Sequence, residues 1–278
     1  MYCPGFKSNL SITFIGTATA ILEIEGVRFL TDPFFHPAES FVEHEVENLP
    51  TVTLKVHHDP ALQLENLPPI DAVLLSHEDH WDNLDETGRQ LLDGRHVLTT
   101  QDGAKNLAPR PGVRGLAPWE TVELALGGKL FRFTATPCKH VPGQECVGFV
   151  LETDDFGKAE DGRPNAIYLT GDTVYFEELA EIGQRFHIAA AIMNTGEAHA
   201  QLVPLPAPTT QITMGGAQAA RLFRDIKADC IVPMHYDAWD HFTQHREGLA
   251  EVFESEGVLE KVKWLVPGKS IKILTAGP

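Results

Sequence analysis

Leu74-Leu75-Ser76-His77-Glu78-Asp79-His80-Trp81-Asp82-Asn83-Leu84-Asp85 is the stretch on which the reading of this chain turns. It grows out of an apolar run, residues 71–75, with the length and composition of a buried strand. It then breaks into two histidines and four acidic residues, Glu78, Asp79, Asp82 and Asp85. His77, His80 and Asp82 lie within six residues of one another and supply the nitrogen and oxygen donors of a transition-metal site.

Three further places repeat the same order, a buried strand followed at once by a ligand-type residue. Residues 129–136 run into Pro137-Cys138-Lys139-His140, residues 166–169 into Thr170-Gly171-Asp172-Thr173, and residues 228–233 into Met234-His235-Tyr236-Asp237. A single histidine after a strand is more often structural, and an aspartate in Thr-Gly-Asp-Thr is by itself more often a turn or helix cap. Open α/β sheets collect their sites at strand carboxyl ends. If these strands are parallel neighbours, the four loops converge and the residues form one metal centre.

The rest of the chain fits an α/β domain with two sheets, spanning 1–278 without a repeat or linker. Residues 10–15, 18–25 and 27–31 form an opening meander, with Glu25-Gly26 as a hairpin turn and Asp32-Pro33 as its stop. From 34 to 70 the pattern dissolves among prolines, including Pro50, and a segment of this kind is expected to be a lid or substrate loop. Strands are expected at 96–100, 121–126, 147–152 and 188–193, with loop from 108 to 118 and a proline-rich loop at 194–212. Helices are expected at 84–92, capped by Asp82 or Asn83, and at 102–107, 177–186, 213–227 and 243–256.

Composition narrows the function. With 39 acidic against 22 basic residues the net charge is −17, which disfavours nucleic acid and anionic membranes as partners. A small anionic substrate stays compatible, because a bound divalent ion reverses the local field. Cys3, Cys138, Cys146 and Cys230 are scattered without a CxxC pair, which suits a reducing compartment. No signal peptide and no membrane-length apolar run is apparent, so a cytoplasmic location and no membrane insertion are expected, with homo-oligomerisation left open.

These motifs, with Gly16-Thr17-Ala18-Thr19, Ile21-Leu22-Glu23 and Leu30-Thr31-Asp32-Pro33 before them, resemble the metallo-β-lactamase fold superfamily of hydrolases. Within it the chain is similar to the branch containing the ascorbate-6-phosphate lactonase and the N-acyl-phosphatidylethanolamine phospholipase D. The resemblance implies a four-layer αβ/βα sandwich with metals at one edge. It also implies a first metal on His80, His140 and Asp172, with His77 as third nitrogen. Asp82 and His235 would hold a second metal, bridged by Asp172. The motif departs from the family pattern H-x-H-x-D-H. Here it is H-x-x-H-x-D-N: Glu78 stands where the first histidine belongs, and Asn83 where the last does. Asparagine is a weaker ligand that prefers harder ions, so the second position is expected to be poorer.

The expected cofactor is Zn²⁺, one or two ions, with Mn²⁺ or Fe as alternatives. The expected chemistry is hydrolysis of a small-molecule ester, lactone or phosphoester by a hydroxide made from metal-activated water. Asp82 and Asp172 are its catalytic carboxylates, Asp82 orienting the water or carrying a proton. Asn83, His199, Tyr236, Trp239 and His241 are candidate substrate-lining residues. An Fe-dependent oxidative enzyme of the same fold and a non-catalytic metal-containing binding or sensing protein are the competing interpretations.

Overall fold

A computed structural model describes residues 5–44, 52–202 and 208–277. Cys3, Pro50 and part of the proline-rich loop, 203–207, lie outside the described residues. In chain order the strands are β1 Leu10–Gly16, β2 Thr19–Ile24, β3 Val27–Thr31, β4 Phe41–His44, β5 Val52–Lys55, β6 Ala72–Leu74, β7 His96–Thr100, β8 Val113–Leu116 and β9 Thr121–Leu126. They continue with β10 Lys129–Pro137, β11 Val147–Thr153, β12 Asn165–Leu169, β13 His187–Asn194, β14 His199–Ala200, β15 Thr210–Gln211, β16 Ile231–Met234 and β17 Ser270–Leu274. The α-helices are α1 Glu86–Leu91, α2 Gln101–Asn106, α3 Glu181–Arg185, α4 Gly216–Ile226 and α5 Arg246–Ser255.

Two sheets carry the fold, in the orders β17-β1-β2-β3-β6-β7-β8 and β16-β13-β12-β11-β10-β9. Their side chains alternate as strand geometry requires. Ala72 and Leu74 of β6 face the other sheet, where they join Phe29, Phe131, Phe133, Phe149 and Ile192. Val73 and Leu75 face outward and pack with Leu84, Leu91, Leu92 and Leu107 around α1 and α2. On the other side Tyr168, Ala191 and Met193 face Leu179, Ile182, Leu222, Leu249 and Phe253 beneath α3, α4 and α5. Both faces of both sheets are thereby covered, which gives the αβ/βα sandwich of the metallo-β-lactamase fold. The two inner faces meet at Phe29 and Phe131, whose rings cross edge-on with centroids 5.1 Å apart.

Strand direction brings the loops together. β3, β6 and β7 are parallel, as are β12, β13 and β16. β10 pairs antiparallel with β11, and β11 antiparallel with β12, so β10 points the same way as β12. The loops after β6, β10, β12 and β16 therefore leave one edge of the sandwich. Backbone bonds tie the two sheets together there: Val147 N donates to Ser76 O at 3.0 Å and His235 N to Thr17 O at 3.0 Å.

The opening meander forms as expected, with Glu25 and Gly26 at φ 48° and 86°, the left-handed pair of a two-residue hairpin. Elsewhere the structure departs from the expectations. The 34–70 segment contains the antiparallel pair β4–β5 and a 3₁₀ turn, Leu64–Asn66; its described prolines, Pro37, Pro60, Pro68 and Pro69, lie outside these elements. β8 occupies part of the expected 108–118 loop, its backbone paired to β7. Helix α1 is capped by Asp85, not Asp82 or Asn83: Gly88 N donates to Asp85 Oδ1 at 2.6 Å.

Candidate metal centre

β6 ends at Leu74, two residues before Ser76, and the chain then delivers His77 at the edge where the loops gather. There Nε2 of His77 and Nε2 of His140 each lie 3.0 Å from Nδ1 of His80. The outer nitrogen of each ring has a partner of its own. His77 Nδ1 bonds Ser76 Oγ at 2.9 Å, His80 Nε2 bonds Gln144 Oε1 at 2.8 Å, and His140 Nδ1 bonds Ile212 O at 2.7 Å. A carbonyl or carboxamide oxygen can only accept, so His80 and His140 donate their single N–H outward. Nitrogens of three imidazoles thus meet, His77 Nε2 and His140 Nε2 both 3.0 Å from His80 Nδ1, an arrangement suited to a shared cation. Burial, followed by the neighbouring imidazoles of His80 and His140, holds His77 well below the ordinary histidine value. Burial likewise lowers His140. Both rings are therefore neutral, the state a metal ligand needs.

The second group is Asp82, Asp172 and His235. His235 Nε2 lies 3.4 Å from Asp82 Oδ2 and 3.4 Å from Asp172 Oδ2. Its Nδ1 faces Thr195 O at 3.3 Å, and Asn194 Nδ2 donates to Asp172 Oδ1 at 2.7 Å. Asp172 Oδ2 and His235 Nε2 are buried without a hydrogen-bond partner among the described residues. Burial pushes Asp82 upward, but the nearby imidazoles of His235 and His241 outweigh it and hold the carboxyl well below 3.8. Burial also raises Asp172, and the imidazoles of His235, His140 and His77 overcome it. Burial depresses His235, while Asp172 and Asp82 more than compensate, raising it to about 9.

The backbone strains to build this group. His235 takes φ 64°, a left-handed conformation that costs a non-glycine residue roughly 1–2 kcal/mol. Gly171, at φ 59°, has no room for a side chain, since a Cβ would stand 2.6 Å from Val147 O. That glycine lets the chain turn under β11 and deliver Asp172.

The irregular motif has a physical resolution. Glu78 occupies the position where the family pattern places a histidine, and it turns away from the centre. Its carboxylate accepts from Arg89 Nη2 at 3.0 Å and Asn106 Nδ2 at 2.7 Å. Asp79 is exposed, so the extra residue bulges outward while His77 stays fixed at the strand end.

The structure thus brings His77, His80 and His140 together, and separately Asp82, Asp172 and His235. Asp172 stands with the second set rather than completing the first. The residues expected to line a substrate site are placed differently. Asn83 is fully buried, and its Nδ2 donates to Ser76 Oγ at 3.2 Å, so it braces the residue that braces His77. Tyr236 packs against Trp264 in the outer helical layer, because the turn at His235 sends the next side chain to the opposite face. Trp239 is buried against Phe34, with ring centroids 5.3 Å apart, under the 34–70 segment. His199 lies in the small β14–β15 pair, its Nδ1 3.5 Å from Thr209 Oγ1, outside both groups. Only His241 approaches the centre, with Nε2 3.6 Å from Asp82 Oδ2.

Ser76, Gln144, Asn194 and Asp32 were not anticipated. Ser76 N donates to Asp32 Oδ1 at 2.6 Å, which continues the chain of support from His77 into the buried floor. Asn194 had a signal: it follows the apolar run of β13 in the same strand-then-polar order as the ligand candidates.

Comparison with known proteins places this geometry. A family model described as a beta-lactamase superfamily domain matches residues 27–236, a span that contains all six grouped residues. The chain is 28% identical over 249 residues to an uncharacterized protein of Mycobacterium tuberculosis, covering 84% of this chain and 60% of that one. It is 37% identical over 199 residues to an N-acyl-phosphatidylethanolamine-hydrolyzing phospholipase D of Caenorhabditis elegans, covering 66% of this chain and 53% of that one. The chain therefore spans little more than half the length of these curated relatives. Among solved structures, an isothiocyanate hydrolase from Delia radicum gut bacteria superposes with a TM-score of 0.74 at 22% identity, covering 94% of this chain and 98% of that one. With the family model spanning most of its length, the chain belongs to the beta-lactamase superfamily domain family and has the metallo-β-lactamase fold.

Proposed function

We propose that this chain is a metal-dependent hydrolase acting on a small-molecule ester, lactone or phosphoester. The observation that carries this is the convergence of His77 Nε2 and His140 Nε2 on His80 Nδ1, at 3.0 Å each, beside two buried carboxylates and a fourth imidazole. His77, His80 and His140 would hold one ion; Asp82, Asp172 and His235 would hold a second. Zn²⁺ suits the all-nitrogen set, and the oxygen-rich set accepts Zn²⁺, Mn²⁺ or Fe. Bound ions of this kind bring a coordinated water into the neutral pKa range and polarise the oxygen of a carbonyl or phosphoryl group.

The chain's own groups do the rest. Asp82, the less buried of the two carboxylates, orients the attacking water and takes its proton. Asp172, anchored by Asn194, holds the centre together from below. The 34–70 segment covers this edge. Val56 bridges to Trp239, and His57 Nε2 bonds Asp240 Oδ1 at 2.6 Å, which sets the β4–β5 pair against the loop carrying His241. The acidic composition favours a free small molecule over a polyanion. The nematode relative hydrolyses, by its name, a phospholipid ester, which favours the phosphoester class. Among the described residues no helix is long and apolar enough to cross a membrane. The scattered cysteine spacing, without a CxxC pair, supports a reducing, cytoplasmic setting.

A panel of aryl esters, lactones, phosphomonoesters and phosphodiesters, assayed with the metal-loaded protein and again after chelation, tests this. Chelator-sensitive turnover of at least one class is expected. Absence of turnover across the panel with full metal content would favour a binding protein, and oxygen uptake by an iron-loaded sample would favour the oxidative alternative.

A further inference from the structure

We propose that His241 is a ligand of the second metal position and supplies the nitrogen that position 83 lacks. The inference rests on the two-ion reading above. Asn83 supplies no nitrogen ligand: its Nδ2 donates to Ser76 Oγ, and what it can offer is a carbonyl oxygen, Oδ1, buried without a hydrogen-bond partner among the described residues. Without it the second group has two carboxylates and a single imidazole, His235. His241 stands beside that group, next to Asp82. Its Nε2 lies 3.6 Å from Asp82 Oδ2, the same oxygen that His235 Nε2 approaches at 3.4 Å. Ligands on a tetrahedral ion with bonds near 2.1 Å stand about 3.4 Å apart. Both nitrogens therefore sit near ligand spacing from one carboxylate oxygen.

The ring is held for this position by packing. Phe242 packs against both imidazoles, its centroid 4.6 Å from that of His235 and 4.6 Å from that of His241. The other nitrogen, His241 Nδ1, is buried with no hydrogen-bond partner among the described residues. Here His241 differs from His77, His80, His140 and His235, each of which has an outer partner. A ligand without an outer acceptor is less basic and less firmly oriented, which weakens binding by about 10–100-fold in comparable sites. The two positions should accordingly fill in order, the all-nitrogen set first.

The test is Co²⁺ titration of the metal-free full chain against a chromophoric chelator, for wild type and His241→Ala. The wild type is expected to bind two ions, the second more weakly. H241A is expected to keep the first ion and bind the second roughly tenfold or more weakly. Equal second-ion affinity in both proteins overturns the role of His241 and leaves the two-ion reading standing. A wild type that binds only one ion overturns both. Should H241A fail to fold, histidine modification of the wild type by diethyl pyrocarbonate, read by mass spectrometry, decides. Protection of His241 is expected to follow the second equivalent of Co²⁺, and reactivity unchanged between one and two equivalents overturns the proposal.

Discussion

His80 Nδ1 stands 3.0 Å from His140 Nε2, while the outer nitrogens of the two rings bond Gln144 Oε1 and Ile212 O. Imidazole nitrogens turned toward one another at that distance suit a shared cation. A second ring, His77, closes on the same nitrogen at 3.0 Å. The account of function follows from that contact, and so do consequences that can be measured.

Ser76→Ala should weaken the first metal position without unfolding the protein. Ser76 Oγ is the hydrogen-bond partner of His77 Nδ1 and the acceptor for Asn83. Removing it frees the ring to change tautomer and rotate, and affinity for the first ion is expected to fall roughly 10–100-fold. Chelator competition reads this directly; an unchanged affinity would show that Ser76 does not position His77.

Above pH 6.5, where the depressed His77 and His140 add no further stability with rising pH, metal-free protein should lose stability as pH rises, and Asp32 should account for part of the loss. Burial raises the Asp32 carboxyl from 3.8 to about 8, and His235 stands at about 9 against 6.5. A group whose folded value is raised contributes stability that is complete below its unfolded value and is lost as pH rises through the folded one. Asp32 therefore acts between pH 3.8 and about 8, and His235 between 6.5 and about 9. Asp32→Asn keeps the oxygen that Ser76 N needs but cannot ionise. The melting temperature of D32N relative to wild type is expected to climb steadily from pH 5 to pH 8. A constant difference would show that Asp32 titrates normally.

Gly171→Ala should destabilise the fold and displace Asp172 together. The position has φ 59°, and an added methyl meets Val147 O at 2.6 Å. A loss of about 2 kcal/mol or more in urea unfolding is expected. Metal content should fall in the second position before the first, and a variant of full stability with two ions would contradict the role given to this turn.

Much of the architecture was legible because strands here are short apolar runs that end abruptly. β6, β10, β12 and β16 each stop within a few residues of a histidine or aspartate, and parallel direction did the gathering. Less could be read where adjacency in sequence hides opposition in space. Tyr236 follows His235 directly, yet the left-handed turn at His235 sends it to the outer layer beside Trp264. Trp239 is two residues from His241 and is core, while His241 is at the centre. Glu78 looked like a damaged ligand position and is instead the outward bulge held by Arg89 and Asn106. β4 and β5 are short strands among prolines, with too few residues for periodicity to register. The supporting contacts from Gln144, Asn194 and Asp32 depend on side-chain placement across the two sheets, which no local pattern encodes.

The most direct test of the central claim is the metal content of the purified protein after zinc loading and dialysis, compared with His80→Ala. His80 Nδ1 is the atom on which the other two imidazoles converge. The expected result is two ions per chain in the wild type and loss of the first-position ion, with loss of hydrolysis, in H80A. A wild type that retains no metal, or an H80A variant that retains as much as the wild type, would contradict the account.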